Sequence, residues 1–519
     1  MVARHRFGLL RWLTPAAAIS IAVLAAGGTA EAGSFAAGTL TQVPDNPLGG
    51  GAACAAQVAQ QTSQGSVNFP GAEVEPMIAT DPSNAQHLIG AFQQDRWNDG
   101  GANGLITAVS SNGGGTWTLA HGQPKFSICT GATQGSPGFF PRATDPWVSI
   151  APNGTAYQVS DSFVFNGPGF GGDSSILVSR SSDGGDHWGT PVTLIDTPEL
   201  TSLNDKESVT ADPTNSNRVY VTWDQLVSPS HEASLDGFLH TFAFRGPTYF
   251  ASTADGGQTW SQGHIIFDPG QNKQTIGNQI VVLPDGTLID GMDLIFSTAS
   301  KSGRIPTTFN VAVIRSTDHG ATWSDPTIVS PLTDVPVKTL DGKAVRTGDI
   351  LPEFAVDAST GALYAAWQDG GFNGRAQIAF SQSTDGGHTW SAPAHINTVS
   401  TTPAFTTSVH VAPDGTVAVT HYDMRNATTA APGQTNYFLL HCHARTTDCT
   451  SPANWSETRL DGAGGFDMKS APKTIEGYFT GDYEGLTNVG AGTTFGGLFV
   501  LAPTEATAGP SDPFFNTAG

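Results

Sequence analysis

Short apolar runs recur along the chain in pairs, each pair joined by a tight polar turn. Three such pairs run from Glu75 to Gln94, from Asp145 to Ser160 and from Lys206 to Asp224. Their turns read DPSN, PNG and DPTN, and further pairs begin near Gly277, Leu351, Thr406 and Gly481. Gly, Pro, Asn and Asp at these points suit tight hairpin connections, so the pattern predicts strand, turn, strand. Between the pairs an octet returns at residues 110–117, 181–188, 253–260, 316–323 and 383–390. The second copy reads Ser181-Ser-Asp-Gly-Gly-Asp-His-Trp188 and the third Thr253-Ala-Asp-Gly-Gly-Gln-Thr-Trp260, while a degenerate sixth runs from Thr446 to Trp455.

Each octet position has a physical role. The Asp carboxylate can accept backbone N–H groups of its own turn, paired glycines permit positive φ, and the Trp buries a large ring. The repeating unit is therefore strand A, tight turn, strand B, longer loop, strand C, octet, strand D. Repetition at this period argues for a closed ring of similar units rather than several unrelated domains. Seven A–B pairs against about six octets favour seven four-stranded blades, with six as the alternative. The segment from Ser34 to Val43 is expected to supply the missing outer strand and leave no free sheet edge.

Composition supports an all-β chain. It has 62 Gly and 33 Pro for turns, and only 13% charged residues, too few for many wet helical faces. Residues 1–32 read as a secretory signal, with Arg4, Arg6 and Arg11 before an apolar run and cleavage after Ala32. That divides the chain into 1–32 signal, 33–70 extension with the closing strand, 71–505 propeller and 506–519 tail. Without the signal, 20 basic and 44 acidic residues leave a charge of −24. Such a surface disfavours nucleic acid and anionic membranes. No other stretch could span a bilayer, and the expectation is a secreted monomer.

Four cysteines fit two disulfides, Cys442 with Cys449 by proximity and Cys54 with Cys129 as the remainder. No zinc spacing is present, and the Asp95–Asp99–Gly100 loop misses a calcium-loop pattern, so neither metal nor cofactor is expected.

The octet resembles the Asp box, or bacterial neuraminidase repeat, S-x-D-x-G-x-T-W. With the signal and repeat layout, roughly residues 70 to 505 resemble the sialidase superfamily. The resemblance implies a β-propeller acting on glycans or glycoconjugates. Three arginines would hold a sugar carboxylate, a tyrosine polarised by a glutamate would be the nucleophile, and an aspartate the acid/base.

Strand alternation puts octets and A–B turns at one end of the disc, and A-strand starts and B–C loops at the other. That second end collects Glu75, Asp145, Glu207, Glu353 and Asp482 with Arg96, Arg375 and Arg425. The arginines follow the phrases FQQDR, WQDGGFNGR and HYDMR. Glu476, Tyr478, Asp482 and Tyr483 form the densest acidic-aromatic cluster. One reading is an exo-acting glycoside hydrolase for terminal acidic sugars. In it Arg96, Arg375 and Arg425 bind the carboxylate, Tyr483 or Tyr478 attacks, and Asp145 or Glu75 is the acid. The family's F/Y-R-I-P motif is missing before the first octet, since Arg304-Ile305-Pro306 comes late in the fourth unit. That departure keeps open a non-catalytic propeller that binds glycan or protein. A third class, another glycosidase or lyase, would show carboxylate pairs without an arginine cluster.

Overall fold

The structure is a computed structural model that describes residues 34–48, 51–164, 172–228, 245–297, 307–502 and 510–519. The secretory signal and the Arg304-Ile305-Pro306 tripeptide lie outside the described residues. Among those described, no helix is long and apolar enough to cross a membrane.

The chain is all-β, built from consecutive antiparallel meanders. The first comprises Glu73–Asp81, Asn84–Arg96, Ala102–Ser110 and Thr118–Leu119, paired in that order. Later meanders open on Arg142–Ile150, Ser202–Ala211, Lys273–Val282, Glu353–Val356, Ala404–Val411 and Gly485–Asn488. Each opening strand packs beside the next, and Gly485–Asn488 packs back against Glu73–Asp81. In the final sheet, Asp512–Ala518 lies between Phe495–Leu501 and the N-terminal strand Thr41–Gln42, with Thr41 opposite Phe515.

The octets hold their own hairpins and seal the seams between sheets. Ser383 Oγ donates to Asp385 Oδ1 at 2.8 Å and accepts the Gly387 N–H at 2.9 Å. Asp385 Oδ1 also accepts the Thr389 N–H at 2.9 Å, and the octets at 253 and 316 repeat this set. Three octet tryptophans pack edge-on against aromatics of the preceding sheet, while Trp390 packs on Phe354 of its own sheet. The three are Trp117 on Phe515 at 5.4 Å, Trp260 on Tyr157 at 6.3 Å and Trp323 on Phe250 at 5.7 Å. Trp455 of the degenerate copy does the same on Phe380 at 5.0 Å. A partly buried indole that fills such a seam stabilises both sheets at once.

Two features differ from the expected layout. Residues 512–518 form a paired strand rather than part of a tail, because their backbone groups find partners on both sides. The 33–70 extension also contains a helix, Ala52–Ser63, whose alanine-rich stretch has high helix propensity. The Cys54–Cys129 disulfide anchors it, and the Gln61 side chain accepts from buried Arg142. The second disulfide joins Cys442 and Cys449, so both expected pairings form.

Candidate functional site

Five of the seven opening strands share an irregularity near the centre of the molecule. Their pairing registers shift between Val74 and Met77, Thr144 and Trp147, Asp205 and Ser208, Ile276 and Gln279, and Phe405 and Ser408. At each shift one residue adopts positive φ: Glu75 at 52°, Asp145 at 52°, Lys206 at 48°, Gly277 at 67° and Thr406 at 48°. These are β-bulges, which re-aim a side chain out of the strand's ordinary alternation. Left-handed backbone at non-glycine residues is costly and clusters where the surrounding structure holds it for a purpose.

Here the purpose is convergence. Lys206 Nζ lies 2.7 Å from Asp145 Oδ1, 2.8 Å from Asp482 Oδ2 and 3.2 Å from Glu75 Oε1. Arg346 continues the network, with Nε 3.0 Å and Nη2 2.5 Å from the Asp482 carboxylate and Nη1 2.8 Å from Glu476. Arg96 lies 3.9 Å from Glu75 and donates to Gln93 at 2.7 Å. Both arginines stack on the Phe479 ring, at 4.8 and 4.5 Å.

Burial and charge drive these groups apart. Burial pushes the Glu75 carboxyl up to about 7, even though Lys206 opposes the rise. Burial also works against ionisation of Asp482, but Arg346 and Lys206 outweigh it and hold the carboxyl well below its usual range. Lys206 stays charged because its three carboxylates overcome the same desolvation.

A cavity of about 240 Å³ opens onto this network, lined by Lys206, Ile276, Val337, Arg346, Asp349, Glu476 and Asp482. Its wall is the strand Ala344–Arg346, paired in parallel with Tyr478–Phe479. The wall is tight against the network: a Cβ on Gly348 would fall 1.7 Å from the Asp482 carbonyl oxygen. Asp349 and Asp334 hydrogen-bond to one another, and burial together with that neighbouring carboxyl pushes Asp349 well above the usual range. Two carboxyl groups in such contact share a proton, because both cannot ionise.

Of the residues singled out in sequence, Glu75, Asp145 and Asp482 meet on Lys206, Glu476 meets Arg346, and Arg96 borders the group. Tyr483 packs beside them on Trp147 at 5.4 Å, its hydroxyl donating to the Pro146 carbonyl at 3.4 Å. Burial and the neighbouring carboxylates keep that phenol well above its usual range, hence neutral. Tyr478 is half-buried on the cavity-wall strand, its ring 6.0 Å from the Lys473 ammonium.

Arg375 and Arg425 do not join the network. Arg375 is exposed on a turn after Asn373. Arg425 is bound by Asp423 and Glu457, each at 2.5 Å, and lies 3.8 Å over the Phe438 ring. A tyrosine–glutamate pair does form, Tyr422 donating to Glu484 at 2.7 Å, but it is wholly buried and serves packing. Asp99 pairs with Arg142 at 2.8 Å, and Asp95 accepts the Gly71 and Leu48 N–H groups, so both brace the rim loop.

The sequence reading missed Lys206, Arg346 and Asp349. Lys206 was detectable, since it stands in the repeat register of Glu75 and Asp145, at the head of its strand pair. Arg346 and Asp349 lie in an insertion between repeats, where no periodic signal points to them.

No protein-family model matches the chain, and no curated protein matches it by sequence. Among solved structures, it is similar to a protein of unknown function from Dyadobacter fermentans (14% identity, TM-score 0.45, covering 94% of this chain and 99% of that one). A Hadza microbial sialidase aligns at 15% identity and TM-score 0.45 over 81% of this chain and 75% of its own. An α-L-arabinofuranosidase from Fusarium graminearum aligns at 13% identity and TM-score 0.46, over 79% and 99% respectively.

Proposed function

We propose that this protein is a secreted glycoside hydrolase on a seven-bladed propeller, removing one terminal sugar at the Lys206–Arg346 cavity. The cycle of packed opening strands and the pairing of Thr41–Gln42 with Asp512–Ala518 support the ring and its closure. The two disulfides support an oxidising compartment.

The observation that carries the reaction is that carboxyl groups held in opposite protonation states line one small cavity. Asp349, sharing a proton with Asp334, is the general acid for the leaving oxygen. Asp482 anchors Lys206 and Arg346 at the cavity wall, and Glu476, which lines the cavity and orients Arg346, takes a proton from the water that bonds to the anomeric carbon as the bond to the leaving oxygen breaks. A cavity of about 240 Å³ is smaller than a typical drug-sized site of about 300–1,000 Å³, and suits a single sugar residue.

The sugar in this reading is neutral. Among the described residues, the cations at the centre are matched by carboxylates and Arg375 and Arg425 lie elsewhere, so no free arginine trio faces the cavity. An acidic sugar is the second reading, favoured by Lys206 and Arg346 both lining the cavity wall.

The test compares the wild type with Asp349→Asn on natural glycans and on aryl glycosides whose leaving groups need no protonation. Loss of the acid should slow glycan cleavage on the order of 10²–10⁴-fold while sparing the activated aryl substrate. Equal loss on both substrates would remove Asp349 from that role. Release of no sugar from a panel of neutral and acidic glycosides would instead favour a binding protein.

A further inference from the structure

Away from the cavity, two imidazoles and two carboxylates meet where the first two sheets abut. They arise from a local departure in the octet pattern. The octets at 253, 316 and 383 place Thr259, Thr322 and Thr389 before the tryptophan, and each hydroxyl donates to its octet Asp at 2.6 Å. The second octet has Asp186-His187 at the corresponding positions. His187 Nδ1 takes over the threonine's contact, 2.9 Å from Asp183 Oδ2, and also lies 3.3 Å from Asp186 Oδ2. Across the seam, His121 Nδ1 is 2.7 Å from Asp186 Oδ1.

The backbone holds these groups in register. The Gly122 N–H donates to the Asp186 carbonyl at 2.9 Å, and the Trp188 N–H donates to the Gly122 carbonyl at 2.9 Å. The ligand atoms of Asp183, Asp186 and His187 lie within 4.8 Å of one another. The two histidine rings stack at 6.0 Å, nearly parallel, with both Nδ1 atoms directed at Asp186.

We propose that this seam is a divalent transition-metal site, with His187 as the nitrogen ligand, Asp183 and Asp186 as oxygen ligands, and His121 orienting Asp186 from the other sheet. A tetrahedral ion with metal–ligand bonds of about 2.0–2.1 Å sets its donor atoms roughly 3.3 Å apart. The His187 Nδ1 atom lies 2.9 Å from Asp183 Oδ2 and 3.3 Å from Asp186 Oδ2, at or just inside that spacing, and solvent completes the shell. The three ligand side chains reach solvent, so an ion can enter the seam. Two carboxylates balance the charge of a dication. The mixed nitrogen–oxygen set selects zinc-like ions over calcium or magnesium, which take oxygen ligands. The bound ion and the His121–Asp186 contact join the exit of the first sheet to the octet of the second, and so act as a staple remote from the cavity.

The experiment titrates Zn²⁺ into the chelator-stripped secreted chain by calorimetry, with Co²⁺ absorption as a reporter of nitrogen ligation. His187→Thr restores the residue of the other octets and keeps the hairpin bond, while His121→Ala removes the group that orients Asp186 from the other sheet. One equivalent of Zn²⁺ is expected per chain, weakened at least tenfold by either substitution. Zn²⁺ should raise the unfolding temperature of the wild type more than that of either variant. No saturable binding by the wild type, or binding that survives both substitutions undiminished, overturns the proposal.

Discussion

The octets and the Lys206 network both place carboxylates at the ends of strands, yet hold them in opposite ways. Asp255 and Asp318 are exposed and receive hydrogen bonds from their own turns, which lower them to about 2. Glu75, Asp290 and Glu353 are buried on or beside the opening strands, and desolvation raises them to about 7, 7 and 8. Lys206 sits against Glu75, Asp145 and Asp482 as the cation that makes their convergence tolerable. An octet carboxylate is therefore settled within a few residues of chain. A central carboxylate depends on partners 61, 131 and 276 residues from Lys206.

The largest expected effect breaks the central half of this contrast. Lys206→Met leaves Glu75, Asp145 and Asp482 without their common cation. Removing one partner of a buried ion pair typically costs about 3–5 kcal/mol, which urea denaturation would read directly. A loss below about 1 kcal/mol would show that the cluster is wet and weakly coupled. Next in size, Glu476→Gln should lower turnover about tenfold or more by removing the base and mispositioning Arg346, while stability changes little. Kinetics and a thermal melt on the same preparation separate the two outcomes.

The pH dependence sharpens the comparison. Carboxyls raised in the folded state bind protons that the unfolded chain has already lost, so their contribution is complete below about pH 4. It then declines as pH rises through about 7 to 8, the folded values of Glu75, Asp290 and Glu353. The octet carboxylates behave oppositely, losing their contribution as pH falls toward about 2. Stability should therefore peak at mildly acidic pH, and Glu353→Gln should flatten the decline toward pH 8. A profile flat from pH 5 to 8 in the wild type would contradict the burial of these groups. The smallest effect belongs to the octets. Ser383→Ala removes one donor and one acceptor, and should cost about 1 kcal/mol in a thermal or urea melt.

Legibility followed the same divide. The strand–turn–strand pairs and the octets were readable because turn chemistry and hairpin hydrogen bonds act over four or five residues. Glu75, Asp145 and Asp482 were visible as strand-start carboxylates, and they do meet. Arg375 and Arg425 follow phrases similar to the one before Arg96, but similar phrases did not give similar placement. Glu457, on the outermost strand of its meander, captures Arg425, and nothing near residue 425 in sequence announces that. The C-terminal strand was unreadable for a related reason, since its partners include residues 41–42 at the other end of the chain.

By itself, then, the sequence determined the repeating hairpin, the octet staples, both disulfide pairings and the end of the molecule where charge collects. These rest on local backbone geometry and short-range pairing, which survive without knowledge of neighbours. Only the tertiary structure decided which charges touch. It turned the bulge residues Glu75, Asp145 and Lys206 toward one another, added Asp482 to them, and brought Asp349 from an insertion to the cavity beside them. Desolvation and Coulomb attraction depend on distance in space, and the packing of successive opening strands brings together residues that the chain keeps far apart.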